Sequence, residues 1–350
     1  MFGSNEPSRV ALDASILSWG GIKSNETSEE RLRADVARFL GPHSRLMSPD
    51  IMTKVSQALL AAFKGIGWEA QEQAYVLHNV RAMADYHSGS GTTYEKLSGS
   101  NLVAIKPGSE RPNEAFVVVA HYDTVRNSPG ADDNTASVAS ILELARILGP
   151  DRFRRTVILA ATDMEELGLL GSKALLPWLR SRYNVVGVIV LETVAYTDPR
   201  PHTLRLPNTG PLYRAQFARV AQADWASRFE FVLYRTRGKA LAATFATALE
   251  TFAGKGTSIV ARDPADLPLL GFFLRRLQRN LVREFHRSDH VPFWEAGIPA
   301  VQVTDGANFG NPHYHAPTDL PDTLDFRRLK EVVLGTALTI AICSGLYVDR

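Results

Sequence analysis

The sequence predicts an α/β fold in which a largely parallel sheet is covered on both faces by helices. Two observations carry this. Short continuous Val/Ile/Leu runs recur from about residue 101 onward, where half-buried strands would alternate polar and apolar residues. Segments with helical spacing separate those runs. A third observation concerns chemistry: several of the runs stop abruptly at a His, Asp or Glu.

Taken in order, residues 28–87 read as an N-terminal helical segment. From Met47 to about Met83, apolar residues recur three and four apart, as at Val55, Leu59, Leu60 and Phe63. Ser88–Gly91 reads as a flexible loop. Asn101–Ile105 and Ala115–Ala120 read as strands and Ala136–Leu148 as a helix. Thr156–Ala161 is a further strand, Ser172–Leu179 a helix, and Val185–Leu191 a third buried strand. The rhythm fades over about 197–285, which is expected to be a cap or insertion. It returns at Ala300–Thr304, and a C-terminal helix follows from Asp325. The expectation is a single catalytic domain over 1–350, with its core in about 98–196 and 286–347. No internal repeat or low-complexity tract interrupts it.

Composition narrows the function. A chain of 350 residues, 45% hydrophobic and 22% charged, has room for one large core or two modest ones. No run approaches the ~20 apolar residues of a membrane-spanning helix. A net charge of +2 lacks the basic excess of a nucleic-acid binder. Cys343 is the one cysteine, so intrachain disulfides, zinc ribbons and CxxC pairs are excluded, and any metal must be held by His, Asp and Glu. The first twenty residues have neither a basic region nor an uninterrupted apolar one, so the default expectation is cytoplasmic; a trimmed N-terminus would instead allow a secreted or periplasmic protein. Oligomeric state has no signature.

Candidate metal ligands sit where strands end. Phe116–Ala120 runs into His121-Tyr122-Asp123, Thr156–Thr162 into Asp163-Met164-Glu165-Glu166, and Val185–Leu191 into Glu192. Open α/β sheets bind ligands beyond the carboxyl ends of their strands. Two loops add to this edge: Gly130-Ala131-Asp132-Asp133-Asn134 before a helix, and Asn311-Pro312-His313-Tyr314-His315-Ala316-Pro317-Thr318-Asp319, stiffened by prolines. Each motif alone has an ordinary reading as a hydrogen-bonded pair, a solvated helix start or a cap. Together they crowd carboxylates at one edge, where they repel unless a cation neutralises them. Two histidines, at least three acids and no cysteine suit zinc or a similar divalent ion.

These motifs, in this order and spacing over about Asn101–Tyr196 and Ser288–Tyr347, resemble the zinc aminopeptidase, aminopeptidase Y and glutamate carboxypeptidase family of metallopeptidase clan MH. The resemblance implies a mixed, mostly parallel central sheet sandwiched by helices and two zinc ions per chain. It implies His121 and Glu192 on one zinc, Glu166 and His315 on the other, and Asp133, often next to a cis peptide, bridging both. Asp123 matches the acid that orients His121, and Glu165 the general base that activates a metal-bridging water. The implied activity is hydrolysis of the N-terminal peptide bond of a peptide or aminoacyl substrate. A glutamate-type carboxypeptidase and a one-zinc glutaminyl-peptide cyclase are alternatives within the fold. A non-catalytic binding domain is the alternative from another class, and a glutamate beside the ligands argues against it.

In one respect the chain departs from the family. Several members carry an oxyanion-stabilising tyrosine just before the Ser-Asp-His motif; here Arg283-Glu284-Phe285-His286-Arg287 precedes Ser288-Asp289-His290, leaving His286 or Arg287 as substitutes. Ser288-Asp289-His290 also reads as a set of loop anchors. Arg275, Arg279, Arg283 and Arg287 form a stripe with four-residue spacing, a solvated face or else a clamp for a substrate carboxylate. Phe272, Phe273, Leu274 and Leu277 lie beside it. Because an unpaired buried guanidinium is costly, the apolar group is expected to face the site and the arginines mostly solvent, favouring a neutral, apolar substrate residue.

Overall fold

The computed structural model describes residues 6–83, 91–207, 212–267, 271 and 279–347. Eight strands form one sheet: β1 (Glu69–Met83), β2 (Gly91–Lys106), β3 (Arg111–His121), β4 (Arg155–Thr162), β5 (Asn184–Leu191), β6 (Glu230–Tyr234), β7 (Ser258–Arg262) and β8 (Ala300–Thr304). Their order is β1-β2-β4-β3-β5-β8-β6-β7. Four pairings are parallel (β3–β4, β3–β5, β5–β8, β6–β7) and three antiparallel (β1–β2, β2–β4, β6–β8), so the sheet is mixed and mostly parallel.

The central strands show why continuous apolar runs were needed. On β3, Phe116, Val118 and Ala120 pack with α4 (Ala136–Leu148), α7 (Lys239–Ala253) and α8 (Phe326–Ser344), while Val117 and Val119 pack with Leu175 and Leu179 of α5 (Leu170–Arg180) and with Phe293. Both faces are covered, so neither set of side chains can be polar. No helix among the described residues is long and apolar enough to cross a membrane.

Two expectations are corrected. The N-terminal segment is helical only in part: α1 (Ala14–Glu26), α2 (Glu29–Phe39) and α3 (Pro49–Ile66) are helices, but Glu69–Met83 is a strand. Gly67, at φ 99°, ends α3 in the left-handed region. As the edge strand, β1 buries only Gln73 and Ala82, too little for a two-residue apolar period to stand out. Of the expected loop at Ser88–Gly91, residues 88–90 lie outside the described residues, and Gly91 opens β2 instead.

The second correction concerns 197–285. Expected as a cap or an insertion, its described residues do not stand apart from the sheet but build its far edge with β6, α7 and β7. Its strands are five residues each, short enough to escape notice between longer polar stretches. Leu204, Tyr213 and, from α6 (Arg214–Gln222), Val220 pack over one face of that edge, against Phe231 and Ile259.

At the opposite edge, the β1–β2 hairpin overshoots its neighbour. β2 pairs with β1 from Gly91 to Ile105 but with β4 only from Leu102 to Lys106. The overhang stands beyond the carboxyl end of β4. There Ala82 and Leu97 pack on Met164, Leu167 and Leu170.

Candidate metal centre

Because β3 lies between β4 and β5, chain crossovers diverge to either side of it and open a crevice at its carboxyl end. His121 is the last residue of β3, Glu192 follows β5, and Glu165 and Glu166 lie in the turn after β4. Asp133 enters on the turn opened by Gly130, whose positive φ of 69° brings the chain back over β3. A methyl group there would meet Thr124 Cγ2 at 2.5 Å and Asp133 O at 2.7 Å. His315 arrives on the loop before α8.

These residues come together as two triads sharing Asp133. His121 Nε2 is 3.2 Å from Asp133 Oδ1 and 3.3 Å from Glu192 Oε1. His315 Nε2 is 2.9 Å from Asp133 Oδ2 and 3.3 Å from Glu166 Oε1. One aspartate oxygen thus faces each histidine. In both triads, His121–Asp133–Glu192 and Asp133–Glu166–His315, one donor atom per residue lies within 4.8 Å of the others. A third group, His121–Glu165–Glu166, puts Glu165 against the same pair of sites.

The donor set fits a metal. Both Asp133 oxygens and Glu166 Oε1 are buried without a hydrogen bond, although ring nitrogens stand at ion-pair distance. Such atoms converge on common points instead of satisfying each other, which is costly unless a cation lies between them. Electrostatics agrees. Burial, reinforced by Glu192 and Glu166, holds the Glu165 carboxyl well above its usual range, and burial pushes Glu166 up to about 7. Burial also works to raise Asp133, yet His121 and His315 outweigh it and keep that carboxylate below its usual range.

Supporting contacts fix each side chain. His121 Nδ1 lies 3.0 Å from the main-chain oxygen of Asp123 and 3.5 Å from its carboxylate. That carboxylate instead accepts the Glu165 and Glu166 N–H groups, at 3.0 and 3.2 Å. Asp123 therefore organises the turn after β4 as well as the ring of His121. Ser288 Oγ donates to Glu192 Oε2 at 2.7 Å, and Asp319 accepts the N–H groups of Asp132 and Asp133. Sequence reading did not single out these last two roles, although both residues lie inside motifs it had noted. Across the Asp133–Asn134 bond the peptide is cis.

Of the oxyanion candidates, His286 turns away, 2.9 Å from Asp263 and edge-on to Trp294. Arg287 lines a cavity beside Glu192, where it donates to Glu284 at 3.0 Å, Asn308 at 2.7 Å and the Tyr314 hydroxyl at 3.2 Å. Tyr314 stacks on His315 with centroids 3.9 Å apart, and its hydroxyl is held protonated by burial and by Asp133, Glu166 and Glu192. His290 is an anchor, 2.9 Å from the Phe285 carbonyl oxygen. Arg283 is exposed. Arg275, Phe272, Phe273, Leu274, Leu277 and the side chain of Arg279 lie outside the described residues, so that part of the stripe and the apolar group has no counterpart here.

The cavity itself, about 110 Å³, is walled mainly by Phe217, Phe231, Leu233, Ile259, Phe285 and Phe309, with Glu192, Glu284, Arg287 and Tyr314 among its polar lining.

The model of peptidase family M28 matches residues 101–237, the stretch that carries four of the five converging residues. Over those residues the chain is similar to peptidase family M28. It is 29% identical over 272 residues to a Leptosphaeria maculans protein named probable zinc metalloprotease, covering 71% of this chain and 58% of that one. It is 26% identical over 267 residues to aminopeptidase YwaD of Bacillus subtilis, covering 73% and 47%. The chain thus spans about half the length of these curated relatives. Its fold is that of an aminopeptidase from Aneurinibacillus sp. strain AM-1 (TM-score 0.66, 14% identity, 95% of this chain and 98% of that one). The glutaminyl cyclase of Fimbriiglobus ruber shares it too (TM-score 0.59, 19% identity, 90% and 95%).

Proposed function

We propose that this chain is a zinc-dependent exopeptidase of the M28 kind that hydrolyses the N-terminal peptide bond of peptides, with residues 1–350 acting as one catalytic domain. The observation that carries the reading is the sharing of Asp133 between two buried triads, with Glu165 beside both. His121 and Glu192 would hold one zinc, Glu166 and His315 the other, and Asp133 both. Zinc bound there supplies Lewis acidity, lowering the pKa of water and polarising the scissile carbonyl.

The protein's own groups do the rest. Glu165, its N–H fixed by Asp123, takes the proton of the attacking water and passes it to the departing amine nitrogen. Tyr314, braced by Arg287 and stacked on His315, donates to the oxygen that gains charge. The tyrosine missing before Ser288 is thereby replaced from the other side of the site. The apolar cavity next to Glu192 receives the side chain of the substrate's N-terminal residue, which favours leucyl-type over acidic substrates.

A carboxypeptidase reading finds support in Arg287, a guanidinium on the cavity rim. Glu284, 3.0 Å away, already balances that charge, which favours the aminopeptidase. A glutaminyl cyclase would need one zinc, and the second triad would then have no use. Leucyl, N-acyl-dipeptide and N-terminal glutamine substrates, each assayed with and without chelator, test the reading. Chelator-sensitive leucyl hydrolysis is expected; turnover of only the acyl-dipeptide or only the glutamine substrate would overturn it.

A further inference from the structure

Glu165 sits on a turn that closes on itself through Gly168 N and Leu169 N to Glu165 O, at 2.9 and 2.8 Å, yet holds its backbone in a disfavoured shape. Met164 and Leu169 adopt φ of 56° and 61°, a region disfavoured for side chains of their size, and Gly168 lies at 112°. Such a conformation persists only where surrounding groups impose it. Asp123 grips the turn at the Glu165 and Glu166 N–H groups. Its other end is gripped at Asp163, two residues before Glu165.

Asp163 is fully buried. Its Oδ2 accepts Arg45 Nε at 2.6 Å and Ser100 N at 3.0 Å, its N–H donates to Asn101 Oδ1 at 3.0 Å, and its carbonyl accepts the Tyr75 hydroxyl at 3.2 Å. Arg45 Nη2 extends the grip to Ser100 Oγ at 2.9 Å and the Tyr122 hydroxyl at 3.2 Å, so one guanidinium ties the turn to β2 and to the residue after His121. Arg45 belongs to neither the sheet nor the segment 101–237 that matches the family. It lies on the connection between α2 and α3, which is itself pinned to the site: Gly41 N donates to Pro129 O, and Thr124 N to His43 O, both at 2.9 Å.

We infer that Arg45, through its ion pair with Asp163, is a positioning residue that sets the placement of Glu165 for proton transfer. The physical reason is asymmetric. A buried ion pair adds little net stability, but removing one partner leaves a buried charge uncompensated, and the segment bearing it must rearrange. Here that segment carries the proposed base two residues later. Lysine cannot replace the arginine fully, because a single ammonium does not span Asp163, Ser100 and Tyr122 as a planar fork does.

The inference rests on the hydrolase reading of the site, and the test separates the two. Arg45→Ala, Arg45→Lys and the control Arg146→Ala are compared with wild type; Arg146 forms a similar pair with Asp35, at 2.6 Å, between α4 and α2. For Arg45→Ala, kcat on a leucyl substrate is expected to fall about tenfold to a hundredfold, the scale of a small misplacement of a catalytic group. KM and zinc content stay at wild-type values, millimolar guanidinium restores part of the rate, and Arg45→Lys falls between. Arg146→Ala lowers the melting temperature and keeps kcat. Hydrogen exchange at the Glu165 and Glu166 amides quickens in Arg45→Ala alone. A kcat matching that of Arg146→Ala, a loss that tracks lost zinc, or unchanged exchange at those amides overturns the inference. A wild-type protein that turns over no substrate sinks the hydrolase reading, and the amide exchange still decides the role of Arg45.

Discussion

The centre of the sheet and its two edges obey different rules. β4, β3 and β5 are buried on both faces and deliver the His121, Glu165–Glu166 and Glu192 elements to one crevice. The edges are shorter, more polar or overhanging. The β1–β2 hairpin leans over the turn after β4, and β6–β7 lines the cavity beside Glu192. On the proposed function, the difference teaches a division of labour: the centre supplies the chemistry, while the edges aim it and choose the substrate. Substitutions at the centre should therefore abolish turnover, and those at the edges should alter which substrate is used.

The largest effect is expected at Glu165. Glu165→Gln should cut kcat by ~10²–10⁴-fold while metal analysis finds zinc retained. Glu166→Gln should lose one equivalent of metal instead. Equal metal loss in both variants would break the separation of base from ligand. Next in size, Tyr314→Phe should lower kcat by about 10²-fold with KM little changed, the scale of one oxyanion donor. A larger effect on KM than on kcat would move Tyr314 from the centre's chemistry to substrate binding.

At the edge the effect should be selective. Ala261 of β7 lines the cavity, and Ala261→Leu should lower kcat/KM for leucyl substrates by about tenfold relative to alanyl ones, the cost of a few methylenes in a tight pocket. If both substrates suffer equally, the cavity is not where the side chain binds.

How much of this was legible follows from the same contrast. Strands such as Phe116–Ala120 announce themselves because both faces are apolar, and the residues that follow them announce chemistry because charge at a buried edge needs a reason. β1 was read as helix because an edge strand that buries Gln73 and Ala82 shows no apolar period. β6 and β7 were folded into an expected cap because five residues are too few to set a rhythm. The donor role proposed for Tyr314 has no signal in the sequence although the residue stands next to His315, since nothing there pairs its hydroxyl with Arg287. Arg45 carries no local signal; its importance arises from a partner 118 residues away.

The smallest effect concerns stability away from the crevice. Burial lowers His290 to about 3, so in the folded protein it stays neutral, beside the Phe285 carbonyl oxygen and Trp294. In the unfolded chain its value is the ordinary ~6.5. Between about 6.5 and 3 the unfolded chain binds the proton and the folded one does not, so stability is complete above that window and declines as pH falls through it. His290→Gln should flatten the acid limb of the stability–pH curve by about one proton per molecule. An unaltered limb would show that the imidazole charges freely in the folded state.

The most direct test of the central claim is anomalous diffraction at the zinc absorption edge from crystals of the wild-type protein. Two peaks are predicted, one bonded by His121, Asp133 and Glu192 and the other by Asp133, Glu166 and His315. A single peak, or two that do not share Asp133, would contradict the account.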